Sequence, residues 1–271
     1  MNNTQLRIFS AIVLVAIVAL CFYLGKVSSL VFIGITGALV IDEIVVNFMN
    51  TKRLNRNYII AESSFILAYT YFNFIDNSIG LIYGFNNLGL LLCISLLVYL
   101  FFTKQESSRV QSFLAKYSLF VSFFLLISFL NISALIHQNN WLVKILGLLI
   151  LNFSVDSAAW FWGKNFGTKP LWPKVSPKKT IEGFIGGILS AVIIMFIYWS
   201  FFVEKPSFFM IVSFLMIASC SQLGDLVQSK FKRQFDIKDS SNLIPGHGGV
   251  YDRVDSLLFV APLYLWLILK I

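Results

Sequence analysis

Long apolar stretches limit what this chain can fold into more than any other feature. They recur at residues 8–24, 29–48, 57–76, 80–102, 116–136, 141–163, 182–203, 207–229 and 250–269. A helix needs ~20 mainly apolar residues to cross the hydrocarbon core of a bilayer, with ~17 as the short limit. Nine such stretches in 271 residues leave room for little besides spans and their connections. Only 13% of the residues are charged and 58% are hydrophobic, whereas a soluble domain carries about 25% charged residues. Such a chain would aggregate in water, so lipid is its solvent. The expected fold class is all-α, a polytopic membrane helical bundle of about nine transmembrane helices. Asp42 and Glu43 interrupt the second stretch, and Asp252, Arg253 and Asp255 open the ninth. Residues 8–24 follow Arg7, exceed the ~7–15-residue core of a signal peptide and lack an A-x-A cleavage site, so they read as the first span.

Charge orients the bundle. If the N-terminus is cytoplasmic, seventeen of the 21 basic residues fall on that side, Lys104, Arg109 and Lys116 among them. Lys26, Lys144, Lys205 and Lys270 fall outside. The bias predicts N-terminus in and C-terminus out. A net charge of +8 also suits anionic lipid or a phosphate-rich substrate; nucleic acid is not expected as a partner. Cys21, Cys93 and Cys220 lie in apolar runs, too far apart for a zinc knuckle or a redox pair, and read as small buried hydrophobes. There is no linker, low-complexity tract or internal repeat. The chain divides into N-terminal and middle helices, 1–140, and a C-terminal catalytic region, 141–271, with two cytoplasmic loops.

Within a span, a charged group costs roughly 2.5–3.5 kcal/mol at the helix centre, so intramembrane carboxylates are functional candidates. Asp156, Asp225, Asp252 and Asp255 all fall near the cytoplasmic ends of their helices. Any one alone is readily a helix-end residue reaching water, but four at one depth beside the most basic loops form a pattern. Asp252 and Asp255 are three apart and share a helix face. The 229–250 connection lets Asp225 approach them. Clustered carboxylates with few His or Cys suit Mg²⁺, which takes one or two carboxylates plus substrate phosphates.

The connection itself reads Ser229-Lys230-Phe231-Lys232-Arg233, then Lys238-Asp239, then Pro245-Gly246-His247-Gly248-Gly249, then Asp252-Arg253-Val254-Asp255. Glycine lets backbone N–H groups approach an anion, and the start of the ninth helix adds its positive end. A lone His-Gly-Gly is most simply a turn; basic residues interleaved with carboxylates are what a metal-bound polyphosphate requires. The preceding loop carries Ser176-Pro177-Lys178-Lys179-Thr180-Ile181-Glu182-Gly183, then Gly186-Gly187. There Ser176 or Thr180 can cap a helix, the glycines can allow close helix packing, and the lysines can serve topology alone.

The stretch Ser229–Asp255 resembles the signature of phosphatidate cytidylyltransferases in every spacing: Ser, Lys-Arg, four residues, Lys-Asp, a Pro-x-His-Gly-Gly block and Asp-Arg-x-Asp. The Ser176–Gly183 segment and Asp156 are similar to that family too. The specific likeness covers residues 155–256. Ser157-Ala158-Ala159-Trp160 departs from the family's small-Gly-Ala-Tyr pattern, which bears on geometry around Asp156 rather than on class.

The resemblance implies a nucleotidyltransferase that joins phosphatidic acid to CTP, forming CDP-diacylglycerol and releasing pyrophosphate in phospholipid biosynthesis. Implied catalytic residues are Asp225, Lys232, Arg233, Asp252 and Asp255. Asp225 and Asp252 would hold Mg²⁺, with Asp255 a third ligand or a partner to the ligands, Asp156 a further metal-site carboxylate or a partner to a lysine, and room for a second ion. Ser176, Lys178, Lys179, Thr180, Lys238, His247, Gly248, Gly249 and Arg253 would bind substrate. Implied partners are CTP, phosphatidic acid, membrane lipids and, in assembly, a homodimer. The compact length points to a bacterial inner membrane with the site on its cytoplasmic side. A CTP-dependent polyprenol or phytol kinase is the alternative enzyme, and would need a group to accept a hydroxyl proton. An ion-coupled transporter is the alternative from another class, but it predicts midplane charges and repeated halves.

Overall fold

A computed structural model of the chain describes residues 3–103 and 117–271. Lys104, Arg109 and Lys116, counted above as cytoplasmic, lie outside the described residues. The described residues form nine long helices: α1 Asn3–Tyr23, α2 Lys26–Glu43, α3 Arg56–Thr70, α4 Ile79–Phe102, α5 Ser118–His137, α6 Trp141–Phe166, α7 Ile181–Phe202, α8 Phe208–Gln234 and α9 Tyr251–Lys270. α2 runs on into a π-helical turn, Ile44–Phe48, and α3 into another, Tyr71–Ile75.

Seven of these, all but α3 and α9, are long and apolar enough to cross a membrane, and the protein is an integral membrane protein of the all-α class. That is two fewer than the sequence expectation of about nine. The shortfall has a physical cause. α3 is short, 15 residues, and is diluted by Glu62, Ser63 and Ser64. α9 carries Asp252, Arg253, Asp255 and Lys270, but it is the central helix, with Leu257, Leu258, Phe259, Val260, Ala261, Tyr264, Leu265 and Leu267 all buried. It packs on α4, α5, α6 and α8. A helix surrounded by protein does not need a lipid-facing apolar surface. α1 is the opposite case: it has little buried surface and is largely lipid-facing.

Contacts between helix ends show that the helices alternate in direction. At one end Arg7 of α1 meets Gly246, Ser118 of α5 bonds the Asn57 carbonyl of α3, and Lys230 of α8 meets the C-terminal end of α4. At the other end His137 of α5 meets Asn73 after α3, and Tyr198 of α7 bonds the Val143 carbonyl of α6. The first end carries most of the basic residues among the described ones; Lys26, Lys144, Lys205 and Lys270 lie at the other.

Between α6 and α7 the chain forms a small antiparallel hairpin that the sequence reading did not foresee: β1 Pro170–Trp172 and β2 Ser176–Thr180, with Pro170 opposite Thr180 and Trp172 opposite Ser176. Thr180 then caps α7, its Oγ1 accepting from Gly183 N at 3.1 Å. α6 and α7 pack very closely. A Cβ on Gly183 would lie 2.7 Å from the Ala159 carbonyl oxygen, and one on Gly187 would lie 2.9 Å from the Ala159 Cβ. With little hydrophobic drive between helices in lipid, such small-residue contact supplies the packing.

Candidate active site

The carboxylates meet lysines rather than one another. Lys232, near the end of α8, lies 2.9 Å from Asp252 Oδ1 and 3.2 Å from Asp255 Oδ2. The spacing of three on α9 puts both acids on one face, so a single ammonium serves both. Lys179 reaches from the end of β2 across to Asp225 on α8, with Nζ 2.5 Å from Oδ2. Asp225 Oδ1 accepts only a long bond, 3.3 Å, from the Ser229 hydroxyl one turn on. Asp156, exposed on α6, feels the charges of Asp225, Asp255, Lys179 and Arg253. The four predicted acids therefore gather at one end of the bundle with two lysines threaded among them.

Beneath them lies a polar layer that the sequence reading missed. Ser221 donates to Asn152 Oδ1 at 3.0 Å, and Asn152 Nδ2 donates to Ser256 Oγ at 3.0 Å. All three are buried. Asn152 lies four residues before Asp156, Ser221 four before Asp225, and Ser256 directly after Asp255. The network fixes the mutual register of the three helices that carry the acids. A polar residue one turn below Asp156, Asp225 and Asp252 is a signal the sequence contained, but only with α6, α8 and α9 already known to be neighbours.

The Pro245–Gly249 segment takes a form different from the expected phosphate cradle. Asp252 Oδ2 accepts from Ser240 N at 2.7 Å, Ser240 Oγ at 3.0 Å and Gly249 N at 3.0 Å. The next two amides, Val250 and Tyr251, donate to the carboxylate of Glu43 on α2, each at 2.8 Å. The positive end of α9 is thus already occupied by two side-chain carboxylates. Glycine at 249 also has a steric reason, since a Cβ there would lie 2.0 Å from Ser240 Oγ and 2.5 Å from Glu43 Oε2. Gly248 adopts φ +87°, a left-handed conformation that glycine tolerates best.

The remaining predicted residues spread around this core. Lys178, Arg233, Lys238 and Arg253 are exposed on the same end of the bundle. Arg253 donates to the His247 carbonyl at 2.8 Å and Arg233 to the Ile237 carbonyl at 3.3 Å. His247 Nδ1 lies 2.8 Å from Ser10 Oγ of α1. Desolvation, with help from the Arg253 and Arg7 charges, holds its imidazole below the ordinary value. Ser176 begins β2 beside these groups, and Thr180 is committed to the α7 cap. Lys230, which sequence reading passed over, is buried and donates to the Tyr99, Leu100 and Thr103 carbonyls at 3.1, 2.8 and 2.6 Å. It caps the C-terminus of α4, where a cation is favoured.

A divalent ion fits the chemistry of this donor set. Four carboxylates face two lysines, and Asp225 Oδ1 and Asp156 keep oxygen capacity. No group of three metal-binding side chains converges among the described residues. That is compatible with Mg²⁺, which keeps most of its shell as water and phosphate oxygen.

The model of the cytidylyltransferase family matches residues 5–271, nearly the whole chain. The chain belongs to the cytidylyltransferase family. It is similar to the phosphatidate cytidylyltransferase of Bacillus subtilis (strain 168), 44% identical over 120 residues, which is 44% of this chain and 45% of that protein. The phosphatidate cytidylyltransferase of Staphylococcus saprophyticus is 40% identical over 128 residues, 47% of this chain and 49% of its own length. That of Staphylococcus aureus (strain COL) is 43% identical over 120 residues, 44% of this chain and 46% of its own. The chain spans about half the length of the curated relatives it matches.

Proposed function

We propose that the protein transfers the cytidylyl group of CTP to phosphatidic acid, giving CDP-diacylglycerol and pyrophosphate. One phosphate oxygen of phosphatidic acid attacks the α-phosphorus of CTP. The new P–O bond forms as the bond to the β-phosphate bridging oxygen breaks, and that oxygen leaves with its electron pair as part of pyrophosphate. Both reactants are anions at neutral pH, so no proton transfer is required. Repulsion between them is the barrier, and cations are the remedy. Bound Mg²⁺ would neutralise polyphosphate charge and stabilise the leaving group. Asp225 and Asp156 are the residues best placed to hold it, with Asp255 shared between the ion and Lys232. Asp252, whose oxygens already accept from Lys232, Ser240 N and Gly249 N and share the Ser240 hydroxyl, organises the loop rather than supplying a free ligand oxygen. Arg233, Lys238, Lys178 and Arg253 are exposed cations that receive phosphate, while Lys179 and Lys232 hold the acids apart.

The observation that carries this reading is the pairing of Lys179 with Asp225 and of Lys232 with Asp252 and Asp255 at the basic end of a membrane bundle. We further propose nine spans with the N-terminus and this site cytoplasmic, the C-terminus outside, and a bacterial inner membrane as the setting. Purified protein in mixed micelles, given CTP, Mg²⁺ and phosphatidic acid, should release pyrophosphate and form CDP-diacylglycerol. Phosphate transfer to a polyprenol in place of that product would refute the assignment. Labelling of cysteines at positions 178 and 205 from the same side of sealed vesicles would refute the topology.

A further inference from the structure

Glu43 lies on α2, far in sequence from every motif discussed above, and only 3% of its surface is exposed. Its oxygens accept four hydrogen bonds from the 240–251 segment. Oε1 accepts from Ser241 Oγ at 2.6 Å and Val250 N at 2.8 Å. Oε2 accepts from Ser240 Oγ at 2.9 Å and Tyr251 N at 2.8 Å. Among the described residues Glu43 forms no salt bridge, so these donors are what make burial of the carboxylate tolerable. The same Ser240 hydroxyl also lies 3.0 Å from Asp252 Oδ2, so its single proton is shared between the two acids.

The local backbone explains how α2 delivers this group. α2 passes into its π-helical turn directly after Glu43, a distortion often found at functional sites. That turn presents Asn47, whose Nδ2 donates to the Ser240 carbonyl at 2.7 Å. It also presents Phe48, stacked on Phe231 of α8 with centroids 5.4 Å apart and set edge-on to Tyr251 of α9 at 5.8 Å. Two adjacent side chains of one turn, Asn47 and Phe48, therefore reach the loop at Ser240, α8 and α9.

We propose that Glu43 is a positioning residue for the transfer reaction: from the N-terminal region it clamps Ser240, Ser241 and the first amides of α9, and so sets where Asp252 and Asp255 stand relative to Lys232. The kinetic half of this proposal rests on the cytidylyltransferase reading; the clamp itself does not. Each Glu43 oxygen faces one backbone N–H. Whichever way a glutamine amide is flipped, its NH₂ therefore meets a backbone donor, and Glu43→Gln should behave almost like Glu43→Ala. Glu43→Asp keeps both acceptors on a shorter stem and should recover part of the loss. Asp42, the neighbouring acid, instead pairs with Arg53 at 2.8 Å and Tyr58 at 3.0 Å, so Asp42→Asn is a control with the same charge change one residue away.

The test is hydrogen exchange of the intact protein in micelles, read by mass spectrometry, together with steady-state kinetics using CTP and phosphatidic acid. Glu43→Gln and Glu43→Ala should speed exchange in residues 240–251 while α5 and α6 stay protected, and lower kcat on the order of 10²-fold, the cost of displacing a reacting group by about 1 Å. KM for CTP should change far less, Glu43→Asp should fall between, and Asp42→Asn should match the wild type in both readouts. Unchanged exchange in 240–251 would overturn the clamp. So would loss of protection throughout the bundle with no recovery in Glu43→Asp, which would make Glu43 a general stability residue. If wild-type protein made no CDP-diacylglycerol, the functional reading would fall while the exchange result still decided the clamp.

Discussion

The N-terminal helices and the C-terminal four helices meet the same lipid with different chemistry. Residues 1–140 carry scattered polar groups, many of which bond backbone: Tyr69 the Leu30 carbonyl, Ser122 the Ala61 carbonyl, Asn131 the Phe85 carbonyl. Residues 141–271 concentrate acids and lysines at one end and bond them mainly to one another. The difference teaches that ionisable groups near a membrane are kept either for architecture or for reaction, and that their partners tell which. Several groups cross the division, among them Glu43, Asn47, Ser10 and Arg7, which hold the loop before α9, and Lys230, which reaches back to α4. The C-terminal region carries the proposed chemistry, and the N-terminal region holds its loop in place.

The strongest test of that division is Lys232→Ala. It would leave Asp252 and Asp255 facing each other without their cation. Removing one partner of a buried pair costs about 3–5 kcal/mol, and loss of one stabilising cation at a reacting centre costs on the order of 10²–10³ in rate. Turnover should therefore fall by at least that factor and the thermal midpoint should drop. Near-normal turnover would move the chemistry away from α8 and α9.

Next in size is a contrast between two acids. Asp225→Asn should lower turnover on the order of 10²-fold and raise the Mg²⁺ concentration needed for half-maximal rate, because it removes ligand charge. Asp252→Asn should impair turnover too, but mainly by loosening Ser240 and Gly249, with the Mg²⁺ midpoint little moved. A Mg²⁺ titration of both variants separates the roles, and a midpoint shift confined to Asp252→Asn would reverse them.

A smaller effect separates adjacent lysines on β2. Lys179→Ala frees Asp225 and should reduce kcat, whereas Lys178→Ala removes an exposed cation and should chiefly raise KM for a phosphate-bearing substrate, on the order of tenfold or less. Equal effects on both parameters from both variants would mean that the hairpin as a whole, not the Lys179 contact, matters.

The smallest expected effect tests the weakest tie, α1. The His247 pKa is depressed by burial and by Arg253 and Arg7, so its contribution to stability is present above pH ~6.5 and is lost as pH falls from there through the lowered value. Wild-type protein should lose slightly more thermal stability than His247→Asn across that window. Parallel pH curves for the two would show that the α1–loop contact does not respond to imidazole charge.

The amino-acid order alone determined the solvent, the helix positions and the alternation of the bundle, because a run of ~20 apolar residues has few other solutions. It also placed Asp156, Asp225, Lys232, Asp252 and Asp255 near one end, since each lies at a readable distance from the end of its own span. Tertiary structure decided the partners. That Lys179 meets Asp225, that Asn152 joins Ser221 to Ser256, and that Glu43 rather than a ligand fills the first amides of α9 all depend on helices remote in sequence becoming neighbours. Periodicity records which face of a helix is apolar, but not which helix lies against it. The hairpin at 170–180 was hidden for a related reason: short strands with prolines and lysines carry no apolar alternation and are fixed by pairing with each other. The 250–269 run was readable as a helix, but only packing shows that α9 lies inside the bundle, where Lys232 partners its Asp252 and Asp255.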